Sequence, residues 1–408
     1  MPTDDTRTFV IVGAAHAGGK AIETLRKEGF GGRIVAAGAE SHVPYMRPEL
    51  SKEYLRGENG PESSFIHPEK FYHDNDVDLR TGTTAVRISP HAAEVTLSDG
   101  SRIHYDKLLL ATGARPRRLG IPGDDSVCVE YLRTFEDADR IKAGLKKGKH
   151  VVAIGGGWIS LEVAAAARAK GARATVVSRN ALPLVTLLGK EVASVYKRMH
   201  EEHGVEFVRG TPKKFLGEGR VRQVDLGRGR VIDCDLVVVG IGAEPEVALA
   251  REAGLEIKDG AIAVNEYLET SAKDIFAAGD CAAAFHPFFE RHRNVQHWGN
   301  AHNQGAAAAK NLLGQHAPYE LLPYFFSDQY DTYMESTGMP AAWDKVAFRG
   351  DPEARKFAAF WILDSRLVGG MVVNSDVKIP MLEAIINSRR PVDAAKLEDP
   401  GIPLATFL

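Results

Sequence analysis

The chain has 408 residues, a formal net charge of -3 and 44% apolar residues. That length accommodates two or three domains with sizeable cores, and the near-neutral charge gives no case for nucleic acid or a membrane surface as a partner. No apolar run reaches membrane-spanning length, the opening MPTDDTRTF predicts no secretion signal, and three widely separated cysteines (Cys128, Cys234, Cys281) predict a reducing, cytoplasmic setting without a disulfide framework or redox-active dithiol.

The first βαβ pattern follows at once. Thr8 to Val12 is a strand, Gly13-Ala14-Ala15-His16-Ala17-Gly18 a turn, Ala21 to Lys27 a helix and Arg33 to Ala37 the returning strand. A glycine turn between strand and helix lets backbone N–H groups approach a pyrophosphate at the positive end of the helix. Ala15 stands where the middle glycine belongs, which a phosphate lying slightly further off would tolerate.

The loop His42 to Lys52 is broken by Pro44 and Pro48, with Ser51 as a helix-cap candidate. Arg47 and Lys52 would suit a phosphate or flavin if this loop faces one, whereas spacing alone favours an exposed loop with solvated charges. Val77 to Ser98 alternates as sheet strands do, with a hairpin turn at Leu97 to Ser101. Tyr105 to Gly113 is a buried strand whose small end, Ala111-Thr112-Gly113, would approach a cofactor closely. Arg115 to Gly123 reads as a domain crossing, and Ala138 to Lys146 as a helix.

The second copy is fuller. Val151 to Ile154 is a buried strand, Gly155-Gly156-Gly157 the turn, an alanine-rich helix follows, and Ala174 to Val177 returns. Gly155, Gly157 and Ser160 keep the dinucleotide spacing with serine in the last place. Two such units predict two adenine dinucleotides, one held permanently and one exchanging. The second returning strand ends Ser178-Arg179, where an acid would select NADH. Serine with a neighbouring guanidinium favours the 2′-phosphate of NADPH.

Further on, Leu236 to Gly242 is a buried strand with a glycine end, and Lys273 to Asp280 ends in Gly-Asp, whose carboxylate suits ribityl hydroxyls or merely makes a turn. Trp298, before a helix at Ala306 to Leu313, flanks a cofactor ring or belongs to the core. From Pro323 the composition changes to strands at Lys356 to Ile362 and Leu367 to Val373, and a helix at Pro380 to Asn387.

Nine segments in order, VIVGAAHAG, PYMRPELSK, LLLATGARP, YLRTFEDA, GGGWISLE, VVVGIG, FAAGDCA, HWGNAHNQG and FFSDQYD, resemble the FAD-containing ferredoxin reductases of bacterial oxygenase systems, the putidaredoxin reductase and biphenyl dioxygenase reductase type. Rubredoxin reductase, monodehydroascorbate reductase and apoptosis-inducing factor are looser relatives. The resemblance spans the chain and implies an α/β protein with two Rossmann-like, glutathione-reductase-like domains and a small α+β C-terminal domain. Their expected bounds are 1–114 with 246–322 for FAD, 115–245 for NAD(P)H, and 323–408. It implies Gly13, Ala17 and Gly18 at the FAD pyrophosphate, Arg47 and Lys52 near the flavin, and Ala85, Arg133, Asp280 and Trp298 at other FAD positions. Gly155, Gly157, Trp158, Ile159, Glu162 and Gly242 would line the nicotinamide cofactor's path, and Lys52 and Glu162 match an ion pair that helps balance charge at the isoalloxazine.

The implied activity is electron transfer from NAD(P)H through FAD to a [2Fe-2S] ferredoxin, in a monomer or homodimer. A redox-responsive effector, an NADH oxidase and a rubredoxin reductase are the alternatives. A thiol-dependent reductase is rejected, because Pro44 to Lys52 contains no cysteine. The chain departs from the family pattern at Ala15, at Ala39 where Glu40 would replace the usual acid, and at Glu49, Gln296 and Phe326.

Overall fold

The computed structural model describes residues 5–408; Met1–Asp4, part of the polar opening stretch, lie outside the described residues, and the strands named below are those of the described residues. Two compact units emerge. One takes the described part of Met1–Arg47 with Pro61–Arg115 and Ala243–Leu321, the other Pro48–Gly60, Pro116–Gly242 and Leu322–Leu408.

The first unit is built on a five-stranded sheet in the order Ile275–Ala277, Lys107–Leu110, Thr8–Val12, Arg33–Ala37, Val77–Arg80. Its pairings are all parallel, and Phe9, Ile11, Ile34, Leu108 and Leu109 have no exposed surface. Unbroken apolar runs form such strands because helices cover both faces. Strand order reverses between Thr8–Val12 and Lys107–Leu110, which opens a crevice at their C-terminal ends. Helix His16–Lys27 leaves that crevice and packs on helix Trp298–Leu312. Their approach needs a glycine: a Cβ on Gly305 would lie 2.4 Å from the Ala17 carbonyl oxygen. The second helix starts eight residues before its apolar stretch, because the His297 imidazole accepts the Gly299 N–H at 3.1 Å and caps it.

The second unit repeats the arrangement in the order Val205–Arg209, Arg173–Ser178, His150–Ile154, Leu236–Val239, Val129–Glu130, again all parallel. It also contains an antiparallel sheet, Tyr324–Gln329, Thr332–Thr337, Arg366–Val373, Lys356–Leu363, Lys345–Asp351. Lys356–Leu363 is buried on both faces. On one side helix Ile379–Ser388 lies over the sheet so closely that a Cβ on Gly370 would meet Leu382 at 2.6 Å. On the other, Phe357, Ala359 and Trp361 share a core with Val151, Leu161 and Val192, and the Trp361 indole donates to the Leu188 carbonyl at 3.1 Å. Within this unit the segments Pro116–Gly242 and Leu322–Leu408 therefore meet in one apolar core.

Candidate functional site

In the first unit the glycines of the turn are fixed by contact. Gly13 has φ +112, and a Cβ there would lie 2.1 Å from the Ala111 carbonyl oxygen; on Gly18 it would lie 2.0 Å from the Gly13 carbonyl oxygen. Ala15, by contrast, sits at φ -106, ψ -151, extended backbone that any residue adopts. Helix His16–Lys27 begins with no side-chain cap and no acid in its first turn. Its leading N–H groups and its positive end are left for an anion. His16 is 7% exposed, and its Nδ1 has no hydrogen-bond partner among the described residues. Burial, with His302 next in importance, holds its pKa down at about 3, so the ring is neutral. Trp298 lies beside it, ring centroids 5.3 Å apart. A cradle closed to side chains, with free backbone donors and a buried polar atom, fits a dinucleotide diphosphate.

Ala111 is buried, Thr112 donates its hydroxyl to the Glu246 carbonyl at 2.6 Å, and Gly113 takes φ 73. Asp280 is half-buried in a single 3-10 turn, Gly279–Cys281, whose first N–H donates to Gln304 at 2.8 Å. Glu40 accepts hydrogen bonds from Tyr45 and Arg47, and Arg47 also donates to the Tyr45 hydroxyl at 2.9 Å. Burial disfavours the Arg47 charge, yet Tyr45, Glu40 and Asp280 raise its pKa above the usual guanidinium range. Ala85 opens a strand and pairs with Leu97 at a bulge.

In the second unit the same clash recurs at the same place. Gly155 has φ +121, and a Cβ there would lie 2.1 Å from the Gly240 carbonyl oxygen. Ser160 replaces the third glycine by turning its hydroxyl inward, to the Ile154 carbonyl at 3.1 Å. Helix Trp158–Ala169 also lacks a side-chain cap and a first-turn acid. Gly157 and Gly242 have open space where a side chain would stand, and Ile159 is 38% exposed. The contacts of Trp158 run into the core, against Phe325 at 4.9 Å and Tyr196 at 5.2 Å. Arg133 precedes the capping box of helix Phe135–Gly144, its backbone N–H donating to Asp137 at 2.9 Å. Ser178 is buried with its hydroxyl donating to the Asn180 carbonyl at 2.7 Å, and Arg179 is exposed.

Lys52 departs from the solvated-loop alternative. Its side chain is 6% exposed, that of Glu162 4%, and Nζ lies 3.0 Å from Glu162 Oε1. Ser51, expected as a cap, donates instead to Glu162 Oε2, and the following helix Glu53–Arg56 has no side-chain cap. Ser327 donates to Oε1 at 2.6 Å. Behind Ser327 runs a chain that sequence reasoning missed: Gln329 Nε2 donates to Ser327 Oγ at 3.0 Å, His200 Nε2 to Gln329 Oε1 at 2.7 Å, and the Tyr330 hydroxyl to His200 Nδ1 at 3.1 Å. Every donor points toward the carboxylate, so the chain supports its negative charge. The available signal was the polar run Ser327 to Tyr330 in a strand otherwise read only as a pattern.

The cysteines are free, and burial raises the Cys281 thiol pKa while pushing that of Cys234 up to about 12. Among the described residues no cluster of three His, Cys, Asp or Glu could hold a metal. No helix of those residues is long and apolar enough to cross a membrane.

Residues 7–305 match the family model of the pyridine nucleotide-disulphide oxidoreductases, and residues 324–408 that of the reductase C-terminal domain. The chain is 39% identical over 98% of its length, and 99% of the relative's, to the ferredoxin–NAD(+) reductase component of the anthranilate 1,2-dioxygenase system of Burkholderia cepacia. It is 34% identical, over 100% of its length and 99% of the other, to a ferredoxin–NAD(P)(+) reductase of a Sphingomonas species. Among solved structures it is similar to the reductase in a covalent putidaredoxin reductase–putidaredoxin complex, with TM-score 0.94, 33% identity, and coverage of 99% of this chain and 98% of that one.

Proposed function

Because the chain belongs to the pyridine nucleotide-disulphide oxidoreductase family and carries a reductase C-terminal domain, we propose that it passes electrons from NAD(P)H through FAD to a small iron–sulfur ferredoxin that feeds an oxygenase. The observation that carries this is the pair of matching helix starts, each open to an anion beside a glycine pressed against a neighbouring carbonyl. FAD, when bound, accepts electrons as a pair and gives them up singly; the protein supplies position and charge.

The residues divide the work. Gly13, Ala17, Gly18 and the first turn of helix His16–Lys27 hold the FAD diphosphate, with Glu40, Arg47, Ala85, Ala111, Thr112, Gly113, Arg133, Asp280 and Trp298 around the rest of that cofactor. Gly155, Gly157, Ile159 and Gly242 line the path of the nicotinamide cofactor. Lys52 balances negative charge at the flavin, and Glu162, held by Ser51 and Ser327, fixes the ammonium in place. The names of the relatives above, one an NAD(+) reductase and one an NAD(P)(+) reductase, support a ferredoxin acceptor and allow either nicotinamide; Ser178 with Arg179 favours NADPH. A reducing cytoplasm suits three free cysteines.

The test is anaerobic reduction of a panel of small iron–sulfur proteins by NADH and NADPH. We expect a yellow protein with about one FAD per chain, and acceptor reduction that depends on it. A colourless protein that FAD does not reconstitute, or a flavoprotein that reduces none of the panel, overturns the proposal.

A further inference from the structure

The strand that returns from the second glycine turn ends in a concentration of positive charge larger than Arg179 alone. Parallel register sets Ser178 opposite Arg209, the last residue of Val205–Arg209. Arg209 Nε donates to the Arg179 carbonyl at 3.2 Å, and Arg230, entering from the hairpin before Val231–Asp233, donates to the Arg209 carbonyl at 3.1 Å. The Gly210 N–H closes the set on the Ser178 carbonyl at 2.9 Å. Three arginines are thus linked through backbone oxygens, and all three residues are exposed.

None of the three forms an ion pair with a carboxylate among the described residues. Some other surface arginines of this unit are paired, such as Arg140 with Glu130 and Asp137, and Arg355 with Glu202 and Asp331. Like charges gathered without a counter-ion repel one another, and an anion relieves that repulsion. Arg179 and Arg209 stand at the C-terminal ends of parallel strands, the edge onto which Gly155–Gly157 and the start of helix Trp158–Ala169 open, and the Arg230 side chain reaches that edge at the Arg209 carbonyl. That edge is where a dinucleotide's adenine ribose sits. Ser178 neither repels an anion there nor competes for one, because its hydroxyl is already donated to the Asn180 carbonyl.

We propose that Arg179, Arg209 and Arg230 form a subsite for a phosphomonoester on the adenine ribose, the 2′-phosphate of NADPH. Arg209 and Arg230 are specificity-determining residues alongside Arg179. The subsite rests on Gly155–Ser160 being the turn that holds the nicotinamide cofactor. Guanidiniums suit the ligand because their paired N–H groups match phosphate oxygens.

The experiment titrates the FAD-loaded protein calorimetrically with adenosine 2′,5′-bisphosphate and with 5′-AMP, two probes that differ only in the 2′-phosphate and undergo no redox chemistry. We expect the bisphosphate to bind at least about tenfold tighter, with an advantage that shrinks as salt rises. Arg209→Ala and Arg230→Ala should each cut the ratio of the two affinities by about three- to tenfold. Ser178→Glu should turn the preference toward 5′-AMP. Far-ultraviolet circular dichroism and flavin content confirm that each variant is folded. Equal affinities for the two probes in a protein that NADH reduces would overturn the subsite and leave the nicotinamide site standing. Failure of both probes and of both nicotinamides would overturn the two together.

Discussion

Lys52 Nζ meets Glu162 Oε1 at 3.0 Å, and neither side chain keeps more than 6% of its surface in water. The carboxylate's other oxygen accepts from Ser51, and Ser327 shares Oε1. Phe326 closes one side of the ammonium, its ring centroid 5.4 Å from Nζ. Two charges brought out of water in this way cost more to separate than to remove together.

From this follows an asymmetry that denaturant unfolding of the flavin-loaded protein measures. Lys52→Met leaves a buried carboxylate without its cation and is expected to cost about 3 kcal/mol. Adding Glu162→Leu should recover part of that loss, because it removes the stranded charge. Both variants should slow reduction by the nicotinamide. A Lys52→Met variant as stable as the parent would show that the pair is not a buried ion pair in solution.

Much of this was legible in the sequence. The two glycine turns were readable because each needs a residue without a side chain against a carbonyl, and glycine spacing records that need directly. Strands such as Val151 to Ile154 announced themselves by unbroken apolar runs. The burial of Lys52 was not legible, since its neighbours are polar or proline and its partner lies 110 positions away. Equally hidden was the chain behind Glu162. Ser327, Gln329 and His200 look like scattered polar residues until strand and helix place them in line. Trp158 was legible by place but not by packing: it follows the glycine turn, and its ring packs against Phe325 and Tyr196.

His200 predicts a pH dependence. The ring has no exposed surface, and burial, together with His203, lowers its pKa to about 4 although the bond to Gln329 favours the charged form. In the unfolded chain it titrates near ~6.5, so below that pH the unfolded state binds the extra proton. Stability from this site is complete above that value and declines as pH falls toward 4. His200→Gln should flatten the unfolding free energy over that window while lowering it at neutral pH by about 1–3 kcal/mol, since Tyr330 and Gln329 lose fitted partners. An unchanged slope in the variant would place the titration elsewhere.

The thiols predict an absence of effect. Cys281 has no exposed surface and follows Asp280 directly, yet burial raises its pKa, and Cys234 is held at about 12. Neither is a ready thiolate. Ferredoxin reduction should therefore survive Cys128→Ser combined with Cys234→Ala, and alkylation of the native protein should leave turnover intact. Loss of acceptor reduction on alkylation, at unchanged flavin content, would bring a thiol step back into the mechanism.

The last prediction separates two residues of one turn. A Cβ on Gly13 would fall 2.1 Å from the Ala111 carbonyl oxygen, at φ +112, so Gly13→Ala has neither room nor an allowed conformation. Backbone would have to move at the crevice where the diphosphate is proposed to lie. We expect flavin content to fall several-fold and the melting temperature with it. Ala15 lies two positions on in extended backbone, where alanine and glycine are both at ease. Ala15→Gly should keep its flavin and change stability by about 1 kcal/mol or less, the entropy cost of glycine. The ratio of flavin to protein absorbance after gel filtration, with a thermal melt, reads both variants. Tighter flavin retention in Ala15→Gly would show that the alanine methyl holds the phosphate off. Full retention in Gly13→Ala would remove this turn from the FAD site.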